Sequence, residues 1–383
     1  MNKSRRKRII SSMALCAVSL STLMTTGCGK SSDDRYTIAV ITKQNISFWE
    51  DVKDGAEKAG DELDVKILYN EGSDKDYPLG DNDFATQIEY IDYAIKEGVD
   101  AIVLAPNDTD KLNEALGRAA DSGIHIININ SRASFGAVRS CISSSDMDGG
   151  AVAARHAADA VLGSPDIRNG MAAMKSSRDV DVNKIKSGIK KLGEGTVAII
   201  GHTAATADTR IAGFKTQSVT QIASQMAADG FDITKLGMTQ EDAAGLFQNF
   251  FVDAEKRCAT VDESYEEAKK LLTAHPKMIC IFTTNTNTTL GACKAVEELG
   301  LQDQVYIIGF NADPAELDYL KTGVLDGTVV QNPYNMGFFG VSYAVRAIED
   351  SGVPYALDTG VTYVTADDLD KDSIKLLLDP ENY

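Results

Sequence analysis

Residues 101–130, AIVLAPNDTDKLNEALGRAADSGIHIININ, pass from strand to helix to strand. Residues 101–105 form a short, unbroken apolar run. Leu112, Ala115, Leu116 and Ala119 then fall on one helical stripe across 109–120, and 124–129 carries four Ile around His125 and Asn128. Such a succession builds parallel strands joined by a right-handed crossover. The unit stops at Asn130, one residue past its second strand. Residues 278–311, MICIFTTNTNTTLGACKAVEELGLQDQVYIIGFN, repeat the arrangement as strand 278–283, helix 289–299 and strand 305–310, ending at Asn311. Open parallel sheets bind ligands beyond the carboxyl ends of their strands, where strand order reverses. Two such sheets face to face would aim both amides at one cleft.

The alternation continues outward from both units. Upstream lie a strand at 36–42, a helix with Phe48, Val52, Ala56, Ala59 and Leu63 on one stripe, a strand at 65–69, and a helix striped by Ile88, Ile91 and Ile95. Between the units come a helix at 151–162, a strand at 196–201, a helix at 211–226, a short strand at 250–252 and a helix at 265–272. Residues 328–330 read as the last buried strand, followed by a helix at 337–348. Residues 163–195 and 227–249 lack a clear period and read as insertions. The expected class is α/β, with two doubly wound parallel-sheet domains.

The chain opens with Lys3, Arg5, Arg6, Lys7 and Arg8, then an apolar stretch at 9–24, then Thr25-Thr26-Gly27-Cys28. Basic, apolar and small segments in that order form an export signal. The stretch is short, and diluted with Ser and Thr, for a span of about 20 apolar residues. It resembles a bacterial lipoprotein signal, although Thr25 stands where that signal usually has Leu. The resemblance implies that residues 1–27 are removed, that Cys28 is acylated, and that the protein is held outside the cytoplasmic membrane by Cys28, with 28–35 as a flexible tether. Removing residues 1–27 strips five positive and no negative charges, so the formal charge falls from -18 to -23. A surface that acidic repels nucleic acid. The remaining length of about 350 residues exceeds one comfortable core, so two domains are expected. Beyond Cys16 and Cys28, the cysteines Cys141, Cys258, Cys280 and Cys293 fit neither a Cys-x-x-Cys pair nor a zinc pattern. Cys280 and Cys293 read as buried thiols, and a disulfide between Cys141 and Cys258 stays open.

Several segments occur in the order and spacing of one family: ITKQNISFWEDVKDGAEKAG (41–60), GVDAIVLAPNDTD (98–110), IHIININSR (124–132), TRIAGF (209–214), IFTTNTNTTLGACKAVEELG (281–300), VYIIGFNADP (305–314) and GTVVQNP (327–333). From Tyr36 to about Thr365 the chain resembles the type I periplasmic binding proteins, in particular the ribose- and galactose-type sugar receptors of ABC transporters. The resemblance implies two similar domains joined by three crossing segments, near 143–146, 331–332 and 360–364, with a ligand cleft between them. Lobe 1 would hold 36–145 and 332–360, lobe 2 would hold 146–331 and 361–383, and both would close over ligand.

Site residues follow from the same resemblance, position by position. Phe48 and Trp49 match an aromatic pair that covers the apolar face of a sugar ring; for Phe48 the competing role is core packing. Arg210, four residues before Phe214, matches an arginine forking across adjacent sugar oxygens, a task suited to its planar guanidinium; a surface ion pair with Asp208 competes. Asn285 and Gln331 match pocket amides that donate to and accept from hydroxyls, against simple turn or hinge hydrogen bonds. Asn130 and Asn311 stand where many relatives have aspartates. Ser47, Asn107, Asp108, Arg132 and His202 are further candidates. Ala105 replaces a polar residue, and nothing near 259–261 matches the family's second-domain aromatic, so the departures concern the ligand rather than the fold.

No Gly-x-Ser-x-Gly elbow, Walker loop or His-Glu-x-x-His helix occurs. Amides cannot supply the paired acid and base of a glycosidase. His125, His156 and His275 are scattered and read as structural. The acidic run at 74–83, DKDYPLGDND, lacks the glycine and bidentate glutamate of an EF-hand loop and reads as solvated. Repressors share this core fold, but an export signal and a missing helix-turn-helix argue against one. The expectation is therefore a monomeric receptor, not an enzyme, without cofactor or metal. It captures a small sugar or polyol and delivers it to an ABC permease, or presents it to a sensor kinase or chemoreceptor. A sugar acid or another anionic polyol is the alternative ligand, because Arg210 and Arg132 need a counter-charge unless Asp108 or Asp208 turns inward.

Overall fold

The computed structural model describes residues 35–43, 47–70, 72, 83–175, 182–228 and 239–380. The expected signal, Cys28 and the tether through residue 34 lie outside the described residues, as do most of the acidic run and residues 176–181 and 229–238 of the two insertions.

The chain begins with β1 (Thr37–Ile41), α1 (Ser47–Leu63), β2 (Lys66–Tyr69), α2 (Phe84–Glu97), β3 (Ala101–Leu104), α3 (Asn113–Asp121), β4 (His125–Ile129) and β5 (Val138–Ser143). It continues through α4 (Asp146–Gly163), α5 (Pro165–Lys175), α6 (Val182–Gly193), β6 (Val197–Ile200), α7 (Thr206–Ala228), α8 (Gln240–Phe247), β7 (Phe251–Asp253) and α9 (Val261–Ala274). Then follow β8 (Cys280–Thr283), α10 (Thr286–Leu299), β9 (Tyr306–Phe310), α11 (Pro314–Thr322), β10 (Gly327–Val330), α12 (Pro333–Ile348), β11 (Ala356–Asp358), β12 (Thr362–Val364) and α13 (Asp372–Leu378).

Two six-stranded sheets result, ordered β2-β1-β3-β4-β5-β11 and β7-β6-β8-β9-β10-β12. Every neighbouring pair is parallel except β10 with β12. The chain passes between the sheets after β5, after β10 and after β11. In each sheet the order reverses beside the first strand, next to β1 and next to β6.

The apolar runs explain the layers. Successive strand side chains point to opposite faces, so a strand buried on both faces must be apolar throughout. Ile38 and Val40 of β1 pack with α1 and α12 (Val52, Ala56, Met336, Val341), while Ala39 and Ile41 pack with α2 and α3 (Ile91, Leu116). In the second sheet Val197 and Ile199 face α4 and α7 (Ala154, Phe214), while Ala198 and Ile200 face α9 and α10 (Leu271, Val296). On one face of each sheet a helix pair is brought together by reciprocal glycines. A Cβ on Gly55 would lie 2.0 Å from the Tyr334 carbonyl oxygen, and one on Gly337 would lie 1.9 Å from that of Val52. In the other lobe a Cβ on Gly150 would lie 1.9 Å from the Arg210 oxygen, and one on Gly213 would lie 2.1 Å from the Met147 oxygen.

The structure departs from the sequence reading at weakly patterned segments. β5 was not anticipated, because Arg139 and Ser140 interrupt its short apolar run. Residues 328–330 lie in β10, the last strand buried throughout, and two partly exposed strands, β11 and β12, follow it, each three residues long at a sheet edge, where no period can show. Residues 163–195 are not irregular but include α5 and α6, whose Ile167, Ile185 and Ile189 join the α4–α7 core together with Leu246 and Phe247 of α8. Asp83, the last residue of the acidic run, caps α2 by accepting from the Ala85 and Thr86 amides. All four described cysteines are buried and free, with Cys141 in the first sheet and Cys258 beyond the second. No helix among the described residues is long and apolar enough to cross a membrane.

Candidate functional site

The carboxyl ends of the two sheets carry the polar side chains. Asn130 and Asn311 occupy equivalent positions past β4 and β9, both in the left-handed region, with φ of 61° and 86°. Asparagine tolerates that conformation better than most residues. Each keeps its amide N–H on the next strand, Asn130 to the Ile142 oxygen and Asn311 to the Val329 oxygen, both at 2.8 Å. The turn thus lets the side chain leave the sheet without orphaning the backbone.

A cavity of about 470 Å³ lies there, lined by Ser47, Phe48 and Asp51 of α1 and by His202, Asn285, Asn311, Asp313 and Gln331 from the second-sheet side. Gln331 Nε2 donates to Asn311 Oδ1 at 3.0 Å, and Asn311 Nδ2 donates to Thr286 Oγ1 at 3.3 Å. Asn285 caps α10, its Oδ1 accepting from the Thr288 amide at 3.0 Å, so its carbonyl oxygen is committed to the helix. His202 lies 2.7 Å from Thr284 Oγ1 through Nδ1 and 2.9 Å from Thr206 Oγ1 through Nε2. Burial, reinforced by the positive charges of Arg210, Lys43 and Arg257, holds its pKa well below the ordinary range, so the imidazole is neutral. Ser47 Oγ donates to Asp313 Oδ2 at 2.8 Å, joining α1 to the N-cap of α11. Behind Asp313, the fully buried Glu316 accepts from the Asp313 amide and from Thr286 Oγ1, and burial pushes its pKa up to about 8.

Arg210 is only 4% exposed. Its Nε donates to Asp146 Oδ1 at 2.7 Å, its Nη1 donates to the Thr284 carbonyl at 2.6 Å, and the Phe310 ring lies 3.7 Å from the guanidinium carbon. The counter-charge is therefore Asp146, at the start of α4, and neither residue considered from sequence. Asp208 pairs instead with Arg257 at the surface. Asp108 accepts the Asp110 and Lys111 amides in a turn ahead of α3.

Lys43, two residues past β1, is a second cation that sequence reasoning missed. Its Nζ donates to Asn130 Oδ1 at 2.9 Å. Burial lowers its pKa to about 8, with Arg210 pushing the same way and Asp146 opposing. Its place at the switch beside β1 was the available signal for Lys43, and the first crossing was the signal for Asp146.

The other candidates are distributed around this centre. Trp49 is buried in the first-lobe core, edge-on to Phe48 with ring centroids 4.9 Å apart, and its carbonyl accepts from the Tyr69 hydroxyl. Asn107 donates through Nδ2 to the Lys43 carbonyl at 3.3 Å, while its buried Oδ1 has no partner among the described residues. Arg132 stacks 3.8 Å over Tyr355 and donates to the Val138 and Tyr355 carbonyls, at the β5–β11 edge and off the cavity wall.

Comparison with known proteins agrees with this geometry. The family model described as a periplasmic binding protein domain matches residues 38–352. The chain is 25% identical over 357 residues to the ribose import binding protein of Salmonella typhimurium, covering 92% of this chain and 95% of that one. It is 26% identical over 375 residues to the D-ribose/D-allose-binding protein of Pseudomonas aeruginosa, covering 96% and 100%. A solved carbohydrate transporter solute binding protein from Agrobacterium radiobacter, in complex with D-arabinose, matches with a TM-score of 0.64 at 27% identity over 91% of this chain and 100% of that one.

Proposed function

Because the chain belongs to the type I periplasmic binding proteins, the sugar-binding components of ABC transporters, we propose that it is an exported, lipid-anchored receptor that captures a monosaccharide and hands it to an ABC permease. The lobes are 36–145 with 332–360 and 146–331 with 361–383, hinged at the three crossings. The observation that carries this reading is the cavity of about 470 Å³ whose wall combines Phe48 and Ser47 with Asn285, Asn311 and Gln331. That volume falls in the range of small-molecule pockets, and a few convergent polar groups beside an apolar surface give orientation. A sugar ring lays its C–H face on Phe48 while its hydroxyls exchange hydrogen bonds with the amides. Arg210, held by Asp146 and Thr284, has further N–H groups to offer adjacent oxygens. Cys28 carries two or more acyl chains, enough for stable anchoring.

The test is a thermal-shift screen of the full-length protein against pentoses, hexoses and sugar acids. A ligand of micromolar Kd at millimolar concentration stabilises the fold by about 4 kcal/mol. Phe48→Ala weakens the binding of that ligand by about 2 kcal/mol or more, as loss of a buried aromatic anchor does. A panel in which no sugar shifts the transition overturns the receptor reading. Cys28→Ala releases the protein from the membrane fraction or leaves it unprocessed; unchanged processing and retention overturn the anchor.

A further inference from the structure

Two cations and one carboxylate meet between the sheets. Asp146 is spent on Arg210 through a 2.7 Å bond, whereas among the described residues Lys43 Nζ is bonded to the neutral amide oxygen of Asn130 at 2.9 Å. The groups acting on the charge of Lys43 are Asp146, Arg210 and the buried Cys141 thiol, and burial keeps that thiol protonated. His202 is neutral. Asp51 and Asp313 line the cavity wall, but neither is among the charges acting on Lys43, and Asp313 is engaged by Ser47 Oγ and the Ala315 amide. Counted over the described residues, the centre therefore carries one positive charge more than it balances. Asn130, the residue bonded to Lys43, is an amide.

A buried cation without a counter-charge is expensive, and a ligand that supplies the missing charge recovers that cost on binding. The excess is a single charge. A carboxylate matches it, whereas a phosphate dianion would leave a negative charge over. A planar carboxylate also accepts from a guanidinium edge and an ammonium at once.

Resting on the receptor reading above, we propose that the ligand is a sugar acid, an aldonic or uronic acid, whose carboxylate is received by Lys43 and Arg210. Lys43 is then the residue that sets specificity for acid over neutral sugar.

Isothermal titration of the full-length protein with matched pairs tests this: D-galactose against D-galacturonate, D-glucose against D-gluconate, and D-ribose against D-ribonate. At least one acid is expected to bind tenfold or more tightly than its neutral partner, with an affinity that falls as salt is raised. Lys43→Met is expected to abolish that preference, the acid then binding no more than threefold tighter than its neutral partner in the same variant. Asn130→Asp, nearly isosteric and able to keep the Lys43 bond, supplies the missing charge and is expected to lower acid affinity at least tenfold, so the proposal remains testable if Lys43→Met does not fold. Neutral sugars binding as tightly as their acids would overturn the proposal and leave the sugar-receptor reading standing. Acid preference that survives both variants would overturn the roles of these residues. Binding of neither class would overturn both readings.

Discussion

Removing the carboxylate of Asp146 is the sharpest perturbation of this centre. Arg210 is 4% exposed and sits 2.7 Å from that carboxylate, which at an effective dielectric of about 20 corresponds to about 6 kcal/mol of attraction. Part of this is returned in the variant by the Thr284 carbonyl and by the Phe310 ring, worth about 1–2 kcal/mol to a partly desolvated cation. Asp146→Ala should therefore destabilise the fold by about 3–5 kcal/mol, the usual loss when one partner of a buried pair is removed. Asp208→Ala is the internal control. Its pair with Arg257 has side chains 75% and 43% exposed, and such surface pairs are worth about 1 kcal/mol or less. Urea unfolding at neutral pH, followed by far-UV circular dichroism, measures both variants on one scale. Salt should erase the small effect and leave the large one, since buried pairs are poorly screened. If Asp146→Ala costs no more than Asp208→Ala, Arg210 does not depend on Asp146 and the charge count of the cleft is wrong.

Glu316 holds a proton in the fold up to about pH 8 but gives it up in the unfolded chain near its ordinary 4.5, so its contribution to stability falls as pH rises across that window. Glu316→Gln should gain stability relative to wild type by up to about 1.4 kcal/mol per pH unit between those values, and a flat difference from pH 5 to 8 rules this out. Gly150→Ala forces α4 off the Arg210 backbone and should cost about 1–3 kcal/mol and weaken ligand binding, whereas Gly117→Ala, with open space around its Cβ in α3, should be neutral or stabilising by about 0.5–1 kcal/mol; equal effects on unfolding midpoints refute the close-packing argument. Trp49 is the sole tryptophan and is buried against Phe48, so its emission should be blue-shifted and should change on ligand binding. Phe48→Ala should remove the ligand-induced change; a change of the same size in that variant would mean that Phe48 does not couple Trp49 to the cleft.

The strands legible in the sequence were those buried on both faces. In β1, β3, β4, β6, β8 and β9, burial on both faces demands a largely apolar run, broken in β4 by the hydrogen-bonded Asn128, and a run of four or five residues is a local signal. Helix periods and caps are equally local, acting between residues three or four apart. For that reason the repeated unit, the two strand-end asparagines and the α/β class could be read directly. α6 was obscured because lysines crowd its few core positions, β5 because Arg139 and Ser140 break its apolar run, and β11 and β12 because edge strands need few apolar residues.

Tertiary structure decided how the charges are shared. Asp146 and Arg210 are 64 residues apart, and Lys43 and Asn130 are 87 apart. Nothing local marks either pair, and Asp208 beside Arg210 offers a plausible but false partner. They meet because the first crossing delivers α4 to the second sheet, and because Gly150 and Gly213 let α4 and α7 approach to backbone contact, while β1 and β4 end at the same level of the first sheet. Local pattern determined which elements form, since each buries its own stripe. Which cation keeps its carboxylate and which is left for a ligand depended on the distances between those elements, and only packing sets those distances.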